Sequence, residues 1–161
     1  MITQPLKYVN YSIVFQEVPN EITLALNISG CPIRCENCHS KYLWEYQGNE
    51  LMSDISKLIN KYKPYITCIC FMGGNQNINE LSELCDICHF YNLKTCLYTG
   101  YSLDKDLKQF ALNKLDYLKV GKYIQELGGL ANPNTNQKMY KILNDKLIDI
   151  TSEFWKEGVV S

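Results

Sequence analysis

Two periodicities of apolar residues run along this chain, and the switches between them mark its elements. Residues 8–15 carry Tyr8, Val9, Tyr11, Ile13, Val14 and Phe15, the β-branched and aromatic side chains that suit a strand. Val18-Pro19-Asn20-Glu21 has turn chemistry. In residues 22–28, Ile22, Leu24, Leu26 and Ile28 fall at every second position, the strand period. The two stretches predict a hairpin. Between 50 and 62 the period becomes helical, with Leu51, Ile55, Leu58, Ile59 and Tyr62 on one face, and Pro64 ends the run. Residues 65–72 are almost continuously apolar, as expected of a parallel strand covered on both faces. A second helix is expected over 80–91, where Leu81, Leu84, Cys85 and Cys88 share a face. Residues 95–99 form the next strand, closed by Gly100. Ser102 is the expected N-cap of a third helix, with Asp104 and Asp106 in its first turn, where the helix dipole favours acids. Residues 115–120 predict another short strand.

The tail follows a different pattern. Residues 127–137 are polar and turn-rich, with Gly128-Gly129 and Asn132-Pro133-Asn134. Residues 139–143 and 146–150 flank Asn144-Asp145 and predict a C-terminal β-hairpin. Thr151 is placed to cap a last helical turn carrying Phe154 and Trp155.

Strand then helix, repeated, predicts an α/β fold with parallel strands. The chain is too short for a closed eight-stranded barrel, so an open partial (β/α) barrel of five or six units is expected, with an N-terminal and a C-terminal β-hairpin. In such folds chemistry gathers at the C-terminal ends of the strands. Four stretches stand there: the loop after Ile28, Gly73-Gly74-Asn75, Thr99-Gly100 and Lys119-Val120-Gly121.

Composition narrows the function. At 161 residues, positions 1–161 are expected to form one domain with a real core. The net charge of −1 calls for neither nucleic acid nor an anionic membrane. No apolar run approaches a membrane span, and no basic-then-apolar leader opens the chain. Eight cysteines without an export signal read as reduced thiols, and so as a cytoplasmic protein.

Three of those cysteines fall in Cys31-Pro32-Ile33-Arg34-Cys35-Glu36-Asn37-Cys38, introduced by Ser29-Gly30. Pro32 opposes a continuous helix, so the loop can turn its sulfurs toward one centre. Such thiolates hold an iron–sulfur cluster or zinc. A four-iron cluster on three thiolates keeps one iron open to a substrate. A structural zinc needs a fourth ligand, and His39, adjacent to Cys38, diverges from it. Cys68, Cys70, Cys85, Cys88 and Cys96 read as buried small hydrophobes, although Cys85 and Cys88 also invite a metal or redox role.

The spacing of Cys31, Cys35 and Cys38 resembles that of the radical S-adenosylmethionine (SAM) superfamily, and the resemblance runs from about Ile13 to Trp155. Cys38-His39-Ser40 is similar to the close of this motif in activators of glycyl-radical enzymes. Tyr98-Thr99-Gly100-Tyr101 and Asn136-Gln137-Lys138 resemble segments of the branch that activates anaerobic ribonucleotide reductase. Many of these activators carry a Gly-Pro-Gly-like element where this chain has Val18-Pro19-Asn20-Glu21.

The resemblance implies a barrel of the radical-SAM type and a [4Fe-4S] cluster on Cys31, Cys35 and Cys38. It implies SAM bound to the open iron through its amino and carboxylate groups. One electron, from a donor such as flavodoxin or ferredoxin, cleaves SAM, and the deoxyadenosyl radical removes a hydrogen from a backbone glycine of a partner glycyl-radical enzyme. Asn37 and His39 would line the adenine and sulfonium side of SAM; a plain loop histidine is the other reading of His39. Gly73, Gly74 and Asn75 stand where a Gly-Gly-Glu motif binds the amino group, with an amide in place of the acid; a plain strand-to-helix turn is the alternative. Lys119 would contact the SAM carboxylate or ribose, or be a surface lysine, with Val120 where an acid is common. Other functions stay open: an activase of the pyruvate formate-lyase type, a small radical-SAM enzyme on a free metabolite, or a non-catalytic zinc or iron–sulfur module.

Overall fold

The computed structural model describes residues 4–30 and 41–155. Their strands form one mixed sheet of eight. The expected N-terminal hairpin is present: β1 (Lys7–Val14) runs antiparallel to β2 (Thr23–Ile28), and the Glu21 N–H donates to Val18 O at 3.2 Å in the turn between them. Phe15 lies past the strand and is exposed. A two-residue strand, β3 (Asn49–Glu50), pairs with the start of β1. Then come α1 (Leu51–Tyr62), β4 (Cys68–Met72), α2 (Ile78–Phe90), β5 (Lys94–Tyr98), α3 (Lys105–Lys114) and β6 (Tyr117–Val120). β7 (Lys138–Leu143) and β8 (Lys146–Asp149) make the predicted second hairpin, with Asn144 and Asp145 both at positive φ in the turn.

The strand order is β3-β1-β2-β4-β5-β6-β7-β8. β2, β4, β5 and β6 are parallel neighbours, joined by helical crossovers. The outer strands are antiparallel, and the sheet does not close. The α/β class and both hairpins therefore hold. The count of repeating units does not: three helices serve four parallel strands, where five or six units were expected. After β6 the sequence has no helical period, and the chain returns through a polar loop to an antiparallel strand. Nor is Ser102 the third cap. Asp104 has extended backbone and its carboxylate accepts from Leu107 N at 2.8 Å, so the helix begins one residue later, at Lys105. No helix among the described residues is long and apolar enough to cross a membrane.

Alternation decides which side of the sheet each residue covers. Leu24, Leu26, Ile28, Ile69, Phe71, Leu97, Leu118 and Val120 meet the apolar stripes of the three helices. Cys68, Cys70, Cys96, Tyr117 and Met139 point the other way and pack with Val18 and Phe154. β2 is central, which explains why small Thr23 and Ala25 are buried between its larger residues. At the N-terminal end of the parallel strands Glu21 is buried. Its carboxylate accepts from Tyr117 Oη at 2.7 Å, Thr67 Oγ1 at 2.7 Å and Lys94 Nζ at 2.9 Å. These contacts tie the starts of four strands together at the end remote from the candidate site.

Candidate functional site

Three of the four stretches singled out in the sequence, Gly73-Gly74-Asn75, Thr99-Gly100 and Lys119-Val120-Gly121, stand at the C-terminal ends of the parallel strands, and the described chain enters the fourth there through Ser29 and Gly30. β2 delivers the chain through Ser29 to Gly30, whose N–H donates to Leu43 O at 2.7 Å. β4 ends in Gly73 and Gly74, both at positive φ, +97° and +111°. A side chain is strained at either position, and at Gly74 a Cβ would also press on Ile28 Cδ1 at 3.1 Å. Two consecutive glycines thus leave the backbone of this turn bare, beside the exit of β2.

The turn is fastened on both sides. Asn75 Oδ1 accepts from Thr99 Oγ1 at 3.2 Å, joining the ends of β4 and β5. Gln76 Nε2 donates to Ser29 O at 3.0 Å, and its Oε1 accepts from Gly74 N at 3.1 Å. Gln76 thereby locks the glycine turn to the chain that enters the cysteine loop. Lys119 Nζ donates to Gly121 O at 3.0 Å and lies 5.7 Å above the Tyr98 ring. Burial pushes the Tyr98 hydroxyl's pKa up, and that hydroxyl donates to Glu17 O. A cavity of about 290 Å3 opens beside Asn75, between the starts of α2 and α3, with Tyr101 and Asp104 in its wall.

Cross-strand register organises the face away from the helices. Asn10, Asn27, Met72, Tyr98, Lys119 and Met139 are successive partners across six neighbouring strands, a single row near the C-terminal strand ends. The row runs from paired amides through a thioether, an aromatic ring and an ammonium group to a second thioether, that of buried Met139. The Lys119 end of the row offers positive charge, and the Asn10–Asn27 end, three strands away, offers amide hydrogen bonds.

Among the predicted site residues, Gly73, Gly74, Asn75 and Lys119 stand at this end of the sheet. Cys31, Cys35, Cys38, Asn37 and His39 lie outside the described residues. Asn136 and Gln137 brace the turn after β6, donating to Lys122 O at 3.1 Å and Gly121 O at 3.2 Å. Cys68, Cys70, Cys85, Cys88 and Cys96 are all buried free thiols. Burial pushes the Cys85 thiol up to about 12, and those of Cys68, Cys88 and Cys96 also up, which favours the neutral thiol over the metal-binding thiolate. No group of three or more metal-ligating side chains is assembled among the described residues. The sequence reading missed Gln76 and Met72, and named Tyr98 only within the segment Tyr98-Thr99-Gly100-Tyr101. Gln76 follows Asn75, and Met72 ends the predicted strand 65–72, so for these two position alone was the available signal.

Comparison with known proteins bears on the same region. Residues 22–146 match the family described as a 4Fe-4S single cluster domain, a span that contains the cysteine loop and all four strand ends. The chain is 30% identical over 114 residues to the anaerobic ribonucleoside-triphosphate reductase-activating protein of Enterobacteria phage T4, covering 65% of this chain and 72% of that relative. No solved structure matches it significantly.

Proposed function

We propose, because this chain belongs to the 4Fe-4S single cluster domain family of radical-SAM-type activating proteins, that it cleaves SAM reductively and creates a glycyl radical on a partner enzyme. The partner we favour is an anaerobic ribonucleoside-triphosphate reductase, the enzyme named for the phage relative. One observation carries the reading: β2 leaves the sheet through Ser29 toward the C-x3-C-x2-C sequence, and a bare glycine turn is held to Ser29 O there through Gln76. The glycine turn thus stands at the strand end from which the chain runs on toward Cys31.

In this reading Cys31, Cys35 and Cys38 hold the cluster, and the bound cluster supplies the electron that cleaves SAM. Asn37 and His39 flank the cofactor from the same loop. Gly73 and Gly74 let SAM approach the main chain of β4, where a Cβ would be in the way. Asn75 offers an amide in place of a charged acid, and Thr99 orients it through its hydroxyl. Lys119 supplies positive charge for a carboxylate, held by carbonyls of the β6 turn. The one-electron donor would be a flavodoxin or ferredoxin, and the compartment the cytoplasm. In this reading the open sheet serves as a partial radical-SAM barrel and leaves a side through which a loop of the partner enters.

The test is anaerobic reconstitution with iron and sulfide, reduction, and addition of SAM, with 5′-deoxyadenosine measured beside a Cys35→Ala control. The expected result is product in the wild type, none in the control, and a glycyl-radical electron paramagnetic resonance signal when a candidate reductase is present. A fully loaded cluster that yields no deoxyadenosine with or without the reductase sinks the reading. Deoxyadenosine stimulated by a free metabolite and not by the reductase would favour the metabolite enzyme.

A further inference from the structure

One end of the cross-strand row is not used by the activase reading. Asn10 on β1 and Asn27 on β2 are cross-strand partners, and Asn27 Nδ2 donates to Asn10 Oδ1 at 2.6 Å. The alternation that sends Leu26 and Ile28 to the helices sends Asn27 to the opposite face, beside Met72. The register of β1 shifts between Tyr8 and Asn10, an irregularity that brings Asn10 rather than Val9 opposite Asn27. Bulges of this kind re-aim side chains next to functional sites.

Two carboxamides joined by one hydrogen bond keep an unused amino group on one and an unused carbonyl oxygen on the other. Reversing both amides leaves the same pair, so the conclusion does not depend on their assignment. Asn10 is exposed, and neither side chain makes another hydrogen bond among the described residues. The pair presents one donor and one acceptor side by side, the pattern an extended main chain offers on its edge. The neighbouring backbone offers the same chemistry: β3 pairs with β1 only at Lys7 and Tyr8, so no described strand covers the outer side of β1 from Asn10 to Val14.

We infer that Asn10 and Asn27 bind the extended main chain of the partner segment that carries the target glycine. The inference rests on the activase reading for the identity of that segment. A glycine suits the site because its main chain, lacking a Cβ, can approach paired amides closely. The pair would position substrate, and SAM cleavage would not depend on it.

The test uses the full chain with its cluster reconstituted, and a fluorescein-labelled, capped twelve-residue peptide with a central glycine. Binding is read by fluorescence anisotropy, and uncoupled deoxyadenosine formation is read separately. The double variant Asn10→Ala/Asn27→Ala is expected to weaken peptide binding about tenfold, the loss of two modest hydrogen bonds. Its SAM cleavage without peptide should stay within about twofold of wild type. N-methylating successive peptide nitrogens should cost about tenfold at one position in the wild type and nothing at that position in the double variant. Equal affinity of wild type and variant, or no saturable binding to the wild type at millimolar peptide, overturns the inference. Adenosine binding that itself falls in the variant would reassign the pair to a nucleoside and also overturn it. Amide-dependent peptide binding in a protein that never cleaves SAM would keep the inference and remove the activase reading.

Discussion

At the residue scale, Glu21 shows how a charge can be buried to hold a fold while the chemistry sits elsewhere. Burial by itself would raise its carboxyl, but hydrogen bonds from Tyr117, Thr67 and Lys94, with the Lys94 charge, hold it below the ordinary carboxylate range. A depressed folded pKa means that Glu21 adds stability above its unfolded value, near 4.3, and that this stability is lost as pH falls through the lower folded value. Glu21→Gln should therefore cost about 2 kcal/mol at pH 7, the worth of a buried charged hydrogen-bond set. The gap to wild type should narrow as pH falls below the unfolded value and close only once the pH is below the lower folded value, where the wild-type carboxyl is itself protonated. Urea melts at pH 7, 5 and 3.5 would check this, and a gap that does not narrow at all between pH 5 and 3.5 would show that packing and not charge is responsible.

At the scale of elements, caps and turns decide where helices begin and how strand ends meet. Ser102 and Asp104 are both chemically competent caps, but only Asp104 accepts from the third amide of α3. Asp104→Ala should cost about 1 kcal/mol and Ser102→Ala almost nothing, measured by thermal unfolding. The glycine turn after β4 is likewise an element in its own right. Two positive φ values, Gln76 reaching back to Ser29, and Thr99 bonded to Asn75 make it a junction of three strand ends. The sequence marks Gly73, Gly74, Asn75 and Thr99 as strand-end residues but neither Gln76 nor the bonds among them, because a local pattern signals a turn but not the partners it meets.

At the scale of the molecule, the eight cysteines divide into two populations. Five are buried in the two cores, Cys85 and Cys88 among the helices and Cys68, Cys70 and Cys96 on the other face of the sheet. The other three belong to the C-x3-C-x2-C loop. Cys85→Ala and Cys88→Ala should each cost about 1 kcal/mol through lost packing and leave iron and sulfide loading unchanged. Cys31→Ala, Cys35→Ala and Cys38→Ala should each abolish stable loading of the four-iron cluster. Iron and acid-labile sulfide per chain, read beside a denaturant melt, separate the two populations. Iron loss in the Cys85→Ala protein would break that division.

Much of this protein is already determined along the chain. The strand and helix periods place β2, α1, β4, α2, β5 and β6 to within a few residues, because each buries a local stripe whose spacing is written in sequence. The spacing of Cys31, Cys35 and Cys38 is local in the same sense. What tertiary structure decided is non-local: how many units the sheet accepts, which strand lies beside which, and which side chains share a row. Leu24 and Leu26 specify a buried face by themselves, but nothing near Asn27 in sequence says that Asn10 will oppose it or that Met72 will stand on its other side. Register arises when whole strands pair and is shifted by a bulge. The ends of the cross-strand row were therefore fixed by folding, out of residues that are individually unremarked in the sequence.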